Sequence, residues 1–257
     1  MEFMRNYANP THFLQLTRVL VPLFGALTAV LLCLGLYLAW FVAPPDYQQG
    51  ETVRIMYLHV PAAWLSMFIY MVMTAAALGT LIWRHPLADA AQKAGAPLGA
   101  SFTFLCLVTG SLWGKPMWGA WWVWDARLTS VLVLFLIYLA LVALWRTIED
   151  PGKAARAAAI FTLVGAINIP IIKFSVDWWN TLHQPASVFR LGGPAIASSM
   201  LWPLLVMAVA FTFLFLTLHL MSIRNEILRR RLRRLSILAA DAEESGIARV
   251  PSWGAAR

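Results

Sequence analysis

Long apolar runs separated by short polar stretches dominate the chain. A helix needs roughly 20 apolar residues to cross the hydrocarbon core of a bilayer. Six segments qualify or nearly do: 20–41, 61–83, 97–113, 128–145, 158–176 and 200–221. The third is short. The fifth carries Asn168 and Pro170, and the proline is expected to kink it, because its ring removes a backbone donor. The first run is too long for the core of a signal peptide and is expected to stay as a spanning helix. The pattern predicts an all-α integral membrane protein with six transmembrane helices. A short N-terminal segment (1–19) precedes the membrane domain (20–221), and a tail (222–257) follows it.

Composition agrees with that pattern. The chain is 60% hydrophobic and only 12% charged, about half the charged share of a soluble domain. The net charge of +8 does not point to nucleic acid, because eight of the 20 Lys and Arg follow Met221 and no basic domain carries the rest. Cys33 and Cys106 both sit in apolar runs and read as small apolar fillers.

Charge also sets orientation. The N-terminus, the 84–96 loop, the 146–157 loop and the tail hold 15 Lys and Arg, against five on the alternate side. The first set is expected to be cytoplasmic, with both termini inside. Loops 1–2, 3–4 and 5–6 are separated from each other by pairs of crossings and must share a face, expected to be the outer one.

Two histidines and a cluster of tryptophans fall in those three loops. His59 in "LHVP" and His183 in "LHQP" each precede an X-Pro step, which favours an extended backbone. Each is expected just outside a helical run, free to point across the surface. His12, His85 and His219 read instead as interfacial side chains with solvated tips. Loop 3–4 holds "WGAWWVWDARLTS", four tryptophans in seven residues followed by Asp125 and Arg127, with Trp113 just upstream. Trp40, Trp64 and Trp202 fit an ordinary interfacial belt. The 118–124 cluster is too dense for one and favours a ligand surface. A short helix would align Trp118, Trp121, Trp122 and Asp125, whereas a strand would align Trp118, Trp122 and Trp124. Gly114, Pro116 and Gly119 oppose one long regular helix.

A closed zinc site wants four Cys, His or carboxylate ligands, and no such spacing occurs among Asp46, Glu51, Asp125 and Asp177. Two histidines suffice when the other four ligands come with the cofactor, as with haem iron. Indoles then offer flat apolar contact to the macrocycle. Arg54, Lys115 and Arg127 are candidate partners for its propionates, although Arg127 has an equal claim as the ion-pair partner of Asp125.

At these residues the chain resembles a known family. "WGAWWVWDARLT" is similar to the tryptophan-rich WWD motif of haem-handling proteins, and "LHVP" and "NTLHQP" to the histidine segments that flank it. With six spans and this length, the resemblance is to the CcmC subfamily of the cytochrome c maturation system, over 20–221. It implies that His59 and His183 ligate the iron of haem b from opposite faces. It further implies a periplasmic platform of Trp118, Gly119, Trp121, Trp122, Trp124, Asp125 and Arg127, in a multi-pass protein of the bacterial inner membrane. The implied task is to present haem to the periplasmic chaperone CcmE. The implied partners are the small subunit CcmD and the CcmA/CcmB ATP-binding cassette transporter.

The chain lacks a G-x-x-x-x-G-K phosphate loop and a C-x-x-C-H haem attachment site. It therefore reads as a binding and transfer module, neither an ATPase nor a cytochrome c. One rival is a b-type membrane cytochrome, whose inner haem would call on His85 and His219; another is a CcsA-type haem-lyase subunit. The tail sequence "RNEILRRRLRRLSIL" places Leu228, Leu232 and Leu235 on one helical face among arginines. It is expected to lie as an interfacial helix on the anionic inner leaflet lipid, or to dock on a cytoplasmic ATPase subunit.

Overall fold

Asn9, Asp125 and Asp150 set helix starts that hydropathy alone does not reveal. In the computed structural model, which describes residues 9–185, 187, 188 and 190–244, Asn9 accepts the Thr11 N–H at 2.9 Å ahead of Pro10. Asp150 likewise accepts the Lys153 N–H at 2.6 Å ahead of Pro151. A short polar side chain at the N-cap satisfies a donor that the first turn leaves free, and proline at the first position loses nothing. Helices α1 (Pro10–Tyr37) and α5 (Pro151–Gly165) therefore begin well before their apolar runs.

The other helices are α2 (Met56–Trp83), α3 (Ala88–Trp118), α4 (Ala126–Thr147), α6 (Asn168–Trp178) and α7 (Ser198–Glu244). A π-helical turn, Leu38–Val42, extends α1, and a 3-10 turn, Glu51–Ile55, leads into α2. Six helical segments are long and apolar enough to cross a membrane, α5 and α6 together making the fifth. That is the expected all-α, six-span architecture.

Two details differ from the sequence expectation. The third span is not short: α3 runs for 31 residues, through Pro97, Gly114 and Pro116. Prolines inside membrane helices are tolerated where neighbouring helices re-satisfy the freed backbone groups. The tail is not a separate helix, because α7 continues unbroken for 47 residues to Glu244, about 70 Å at 1.5 Å per residue. Residues 245–257 of the expected tail lie outside the described residues. The fifth span does break as expected, at Ala166–Ile167. Pro170 has no N–H to offer the Ala166 carbonyl, which accepts instead from Ile169 at 3.1 Å.

α1 packs mainly on α7, α7 reaches α2 and α3, and α2, α3, α4 and α5 form the centre. Polar side chains in that centre bond across helices, mostly to backbone carbonyls, since a bilayer supplies no water. Tyr138 donates to the Ser66 carbonyl at 2.7 Å and Tyr70 to the Thr162 carbonyl at 3.0 Å. Gln92 donates to the Thr162 hydroxyl at 2.8 Å, and Asn168 to the Ser130 carbonyl at 2.9 Å. α3 and α4 come close because Gly99 carries no side chain; a Cβ there would overlap the Tyr138 ring.

At the end of the bundle where α3 begins, four charges lock α3 to α7. Lys93 meets Glu226 at 2.9 Å, and Arg230 meets Glu226 and Asp89 at 2.8 Å each. Beside them Ala90, Ala94, Ile223 and Ile227 pack with Phe13 and Leu14 of α1.

Candidate functional site

The expected site residues gather at the opposite end, where α3 finishes and α4 begins. Trp118 is the last helical residue of α3, and Gly119 ends the helix in the left-handed region, φ 73°, with its N–H on the Lys115 carbonyl at 3.0 Å. Glycine takes that conformation without the steric penalty of a Cβ. Residues 119–125 are then irregular, so neither the short helix nor the strand expected for the tryptophan segment forms. Asp125 caps α4 by accepting the Leu128 N–H at 2.7 Å.

The indoles divide by environment. Trp121 is 55% and Trp124 75% exposed. Trp122 is partly buried, meets Trp124 edge to face at 5.5 Å, and holds a buried indole N–H with no partner among the described residues. Trp118 packs over Gly114 and faces the His183 ring at 6.4 Å. Trp113 donates to the Gln49 side chain at 2.9 Å, joining loop 1–2 to α3. Ser111 donates to the Trp121 carbonyl at 2.7 Å and holds the segment against α3.

His59 is not outside a helix as expected. It lies in the first turn of α2, and Pro61 is helical too. Its ring packs against α3, in the space left by Gly110, and meets Trp113 edge to face at 5.7 Å. Nδ1 lies 3.1 Å from both the Cys106 carbonyl and the Thr109 hydroxyl. Thr109 itself donates to the Leu105 carbonyl at 2.6 Å. His183 does sit in an irregular segment as expected, with Nδ1 2.9 Å from the Gln184 carbonyl. A carbonyl only accepts, so each imidazole carries its proton on Nδ1 and leaves the lone pair on Nε2. That is the tautomer of a metal-ligating histidine whose other nitrogen is held by a carbonyl. Burial pushes the His183 imidazole below its usual range, with the Arg127 charge acting the same way and the Gln184 carbonyl and Asp125 opposing. Neutral imidazole is the ligating form.

Asp125 and Arg127 do not form an ion pair among the described residues. Asp125 accepts the Thr181 hydroxyl, whose oxygen accepts the His183 N–H at 3.0 Å. Arg127 donates to the Ser175 hydroxyl at 2.7 Å and toward the Lys173 carbonyl at 3.4 Å, tying α4 to α6. The other propionate candidates are engaged as well. Arg54 caps the end of the first span through the Ala39 and Ala43 carbonyls and pairs with Glu51. Lys115 donates to the Gly119 carbonyl at 3.0 Å and stands 5.9 Å from the Trp121 ring, which leaves ammonium protons to spare. A largely apolar groove of about 640 Å³ opens beside the His59 network, between Trp40, Arg54, Leu58, Thr109 and Leu112.

Sequence reasoning missed Thr109, Thr181, Ser175 and the Cys106 carbonyl. Only Thr181 had a local signal, lying two residues before His183 in "NTLHQP". His219 also departs from its expected solvated tip: it is 7% exposed and stacks on Phe215 at 5.1 Å. His219 lies by Gly95, ten residues along the chain from His85, which accepts the Leu87 N–H at 3.2 Å in the turn before α3. Among the described residues no three His, Cys, Asp or Glu side chains converge.

A family model described as heme exporter protein C (CcmC) matches residues 3–238. The chain is 67% identical to heme exporter protein C of Bradyrhizobium diazoefficiens, over 91% of this chain and 88% of that protein. Heme exporter protein C of Escherichia coli strain K12 is 47% identical over 90% of this chain and 93% of its own. The Paracoccus denitrificans protein of the same name is 43% identical over 89% and 95%. The match takes in the basic stretch 229–234, which the motif resemblance over 20–221 left out.

Proposed function

Because this chain belongs to the heme exporter protein C family, non-catalytic haem-handling proteins of cytochrome c biogenesis in the inner membrane, we propose that it holds one haem b at the periplasmic face through His59 and His183 and delivers it to CcmE. Haem is its cargo. The observation that carries the reading is the matched state of the two imidazoles: each Nδ1 is bonded to a backbone carbonyl, and each Nε2 is left as a lone pair. A macrocycle with two axial sites needs two such atoms.

The surroundings suit the rest of the molecule. Exposed Trp121 and Trp124 offer flat apolar area that the chain's own packing does not use. The Trp122 N–H, without a partner among the described residues, and the spare protons of Lys115 are donors for an anionic edge. Arg127 and Asp125 serve by holding the segment to α6 and to the His183 loop. An exposed haem edge at the indoles is where CcmE would take the cargo, and energy for release comes from CcmA/CcmB in a complex with CcmD. The relatives matched along nearly their whole length are of the heme exporter C kind, which favours this reading over a CcsA-type lyase subunit. Purified His59→Ala and His183→Ala proteins are each expected to carry a small fraction of the parent's haem. Unchanged haem content in both defeats the axial-ligand reading, and two haems per chain would revive the b-type cytochrome.

A further inference from the structure

The two histidines are held by very different means. His59 rides on a helix and bonds into α3, so its position follows from helix packing. His183 lies in the irregular stretch 179–185, and its own Nδ1 bond reaches only the adjacent Gln184 carbonyl. That bond sets the tautomer but does not place the ring relative to the bundle.

The tie to the bundle runs through Thr181. A carboxylate accepts and does not donate, so the Thr181 hydroxyl gives its proton to the second oxygen of Asp125. A backbone N–H only donates, so the same hydroxyl oxygen accepts from His183. Both roles of one hydroxyl are thereby used, in a fixed order: His183 N–H to Thr181 oxygen, Thr181 O–H to Asp125. The other Asp125 oxygen is anchored on the first turn of α4 by the Leu128 N–H at 2.7 Å. The chain of bonds runs from a helix terminus to the histidine, and Trp118 flanks the ring from α3.

We infer that Thr181 and Asp125 are positioning residues for the second haem ligand. The acidic residue of the tryptophan segment acts on the cargo through Thr181 and His183 rather than by touching it. This rests on the proposed two-histidine ligation and extends it: one ligand is built into the bundle, and the other is tied to it through the Thr181 hydroxyl, with Trp118 beside its ring.

Thr181→Val removes the hydroxyl while keeping the side chain's shape, and Thr181→Ser keeps the hydroxyl. With His59 untouched, Thr181→Val is expected to bind haem about 10- to 100-fold more weakly, the usual size of an outer-shell loss at a metal ligand. Its iron is expected to shift from a low-spin, two-imidazole spectrum toward a high-spin, one-imidazole spectrum, and free imidazole is expected to restore the low-spin form. Thr181→Ser should match the parent. Asp125→Asn should fall between them, since an amide presents one acceptor oxygen where the carboxylate presents two.

Parent-like haem content and spectrum in Thr181→Val would overturn the inference. So would an equal loss in Thr181→Ser, or a high-spin spectrum that free imidazole leaves unchanged. His183→Gly runs alongside as the control for the ligation itself. If that variant keeps its haem and its low-spin spectrum, two-histidine ligation fails whatever Thr181 does. If it loses both while Thr181→Val does not, only the relay fails.

Discussion

Where α3 begins, Lys93, Glu226, Arg230 and Asp89 close on one another; where it ends, Trp121 and Trp124 stand largely in the open. The first end satisfies its charges inside the chain, packs apolar side chains around them and continues as regular helix. The second interrupts its helices with a glycine, leaves indoles uncovered, and turns two imidazoles so that Nδ1 is used and Nε2 is not. Uncovered apolar surface and unused ligating atoms are departures expected at functional sites, and they must be offset elsewhere in the fold. On the proposed function, one end of this bundle serves the chain itself and the other serves the haem it carries.

Four substitutions break or sharpen that contrast. The largest effect on stability is expected from Glu226→Ala, which strips the carboxylate shared by Lys93 and Arg230. Breaking a fully buried pair costs about 3–5 kcal/mol; partial exposure of both cations brings this to about 2–3 kcal/mol. Thermal unfolding in detergent should show the loss, with haem per folded chain unchanged. A fall in haem per folded chain would couple the two ends. Gly110→Ala acts at the other end. Its new Cβ would lie 2.8 Å from Cε1 of His59, so the imidazole must shift. Haem affinity is expected to drop about tenfold, equivalent to about 1.4 kcal/mol, with little change in the unfolding temperature; titration of haem into the purified apoprotein reads it. Gly119→Ala puts a side chain at φ 73° and should cost about 1 kcal/mol of stability by the same unfolding assay. The smallest stability effect belongs to Trp124→Ala, within about 0.5 kcal/mol, because that ring is 75% exposed. Its haem should nonetheless leave faster, as measured by transfer to an excess of apomyoglobin. Equal transfer rates would make Trp124 a membrane-interface residue and no part of a platform.

Much of the fold is legible in the chain. The six apolar runs become six helical spans, and Pro170 breaks the fifth one helical turn upstream, at the carbonyl it cannot serve. Helix ends were harder to place from apolar runs, because Asn9, Asp125 and Asp150 set them through capping bonds that add no hydropathy. The site was half legible. His59, His183 and the tryptophan segment stand out by type and spacing, and contacts among Trp118, His183, Thr181 and Asp125 bring two of the three loops together. His59 was misplaced because a pre-proline step reads as extended, whereas a membrane helix with packed neighbours tolerates proline. Thr109 and the Cys106 carbonyl carried no signal, since their role depends on how α3 turns against α2. A local Asp125–Arg127 salt bridge is one of two equal readings of Arg127 in the sequence. Each side chain instead reaches a different part of the chain, an outcome set by tertiary packing rather than by their separation of two residues.

Ligation of one iron by two histidine nitrogens is tested most directly on the oxidised, haem-loaded protein grown with nitrogen-15 histidine. Electron–nuclear double resonance at the iron is expected to show two histidine nitrogens in the parent and one in each of His59→Gly and His183→Gly. A single histidine coupling in the parent, or two that survive either substitution, would contradict it.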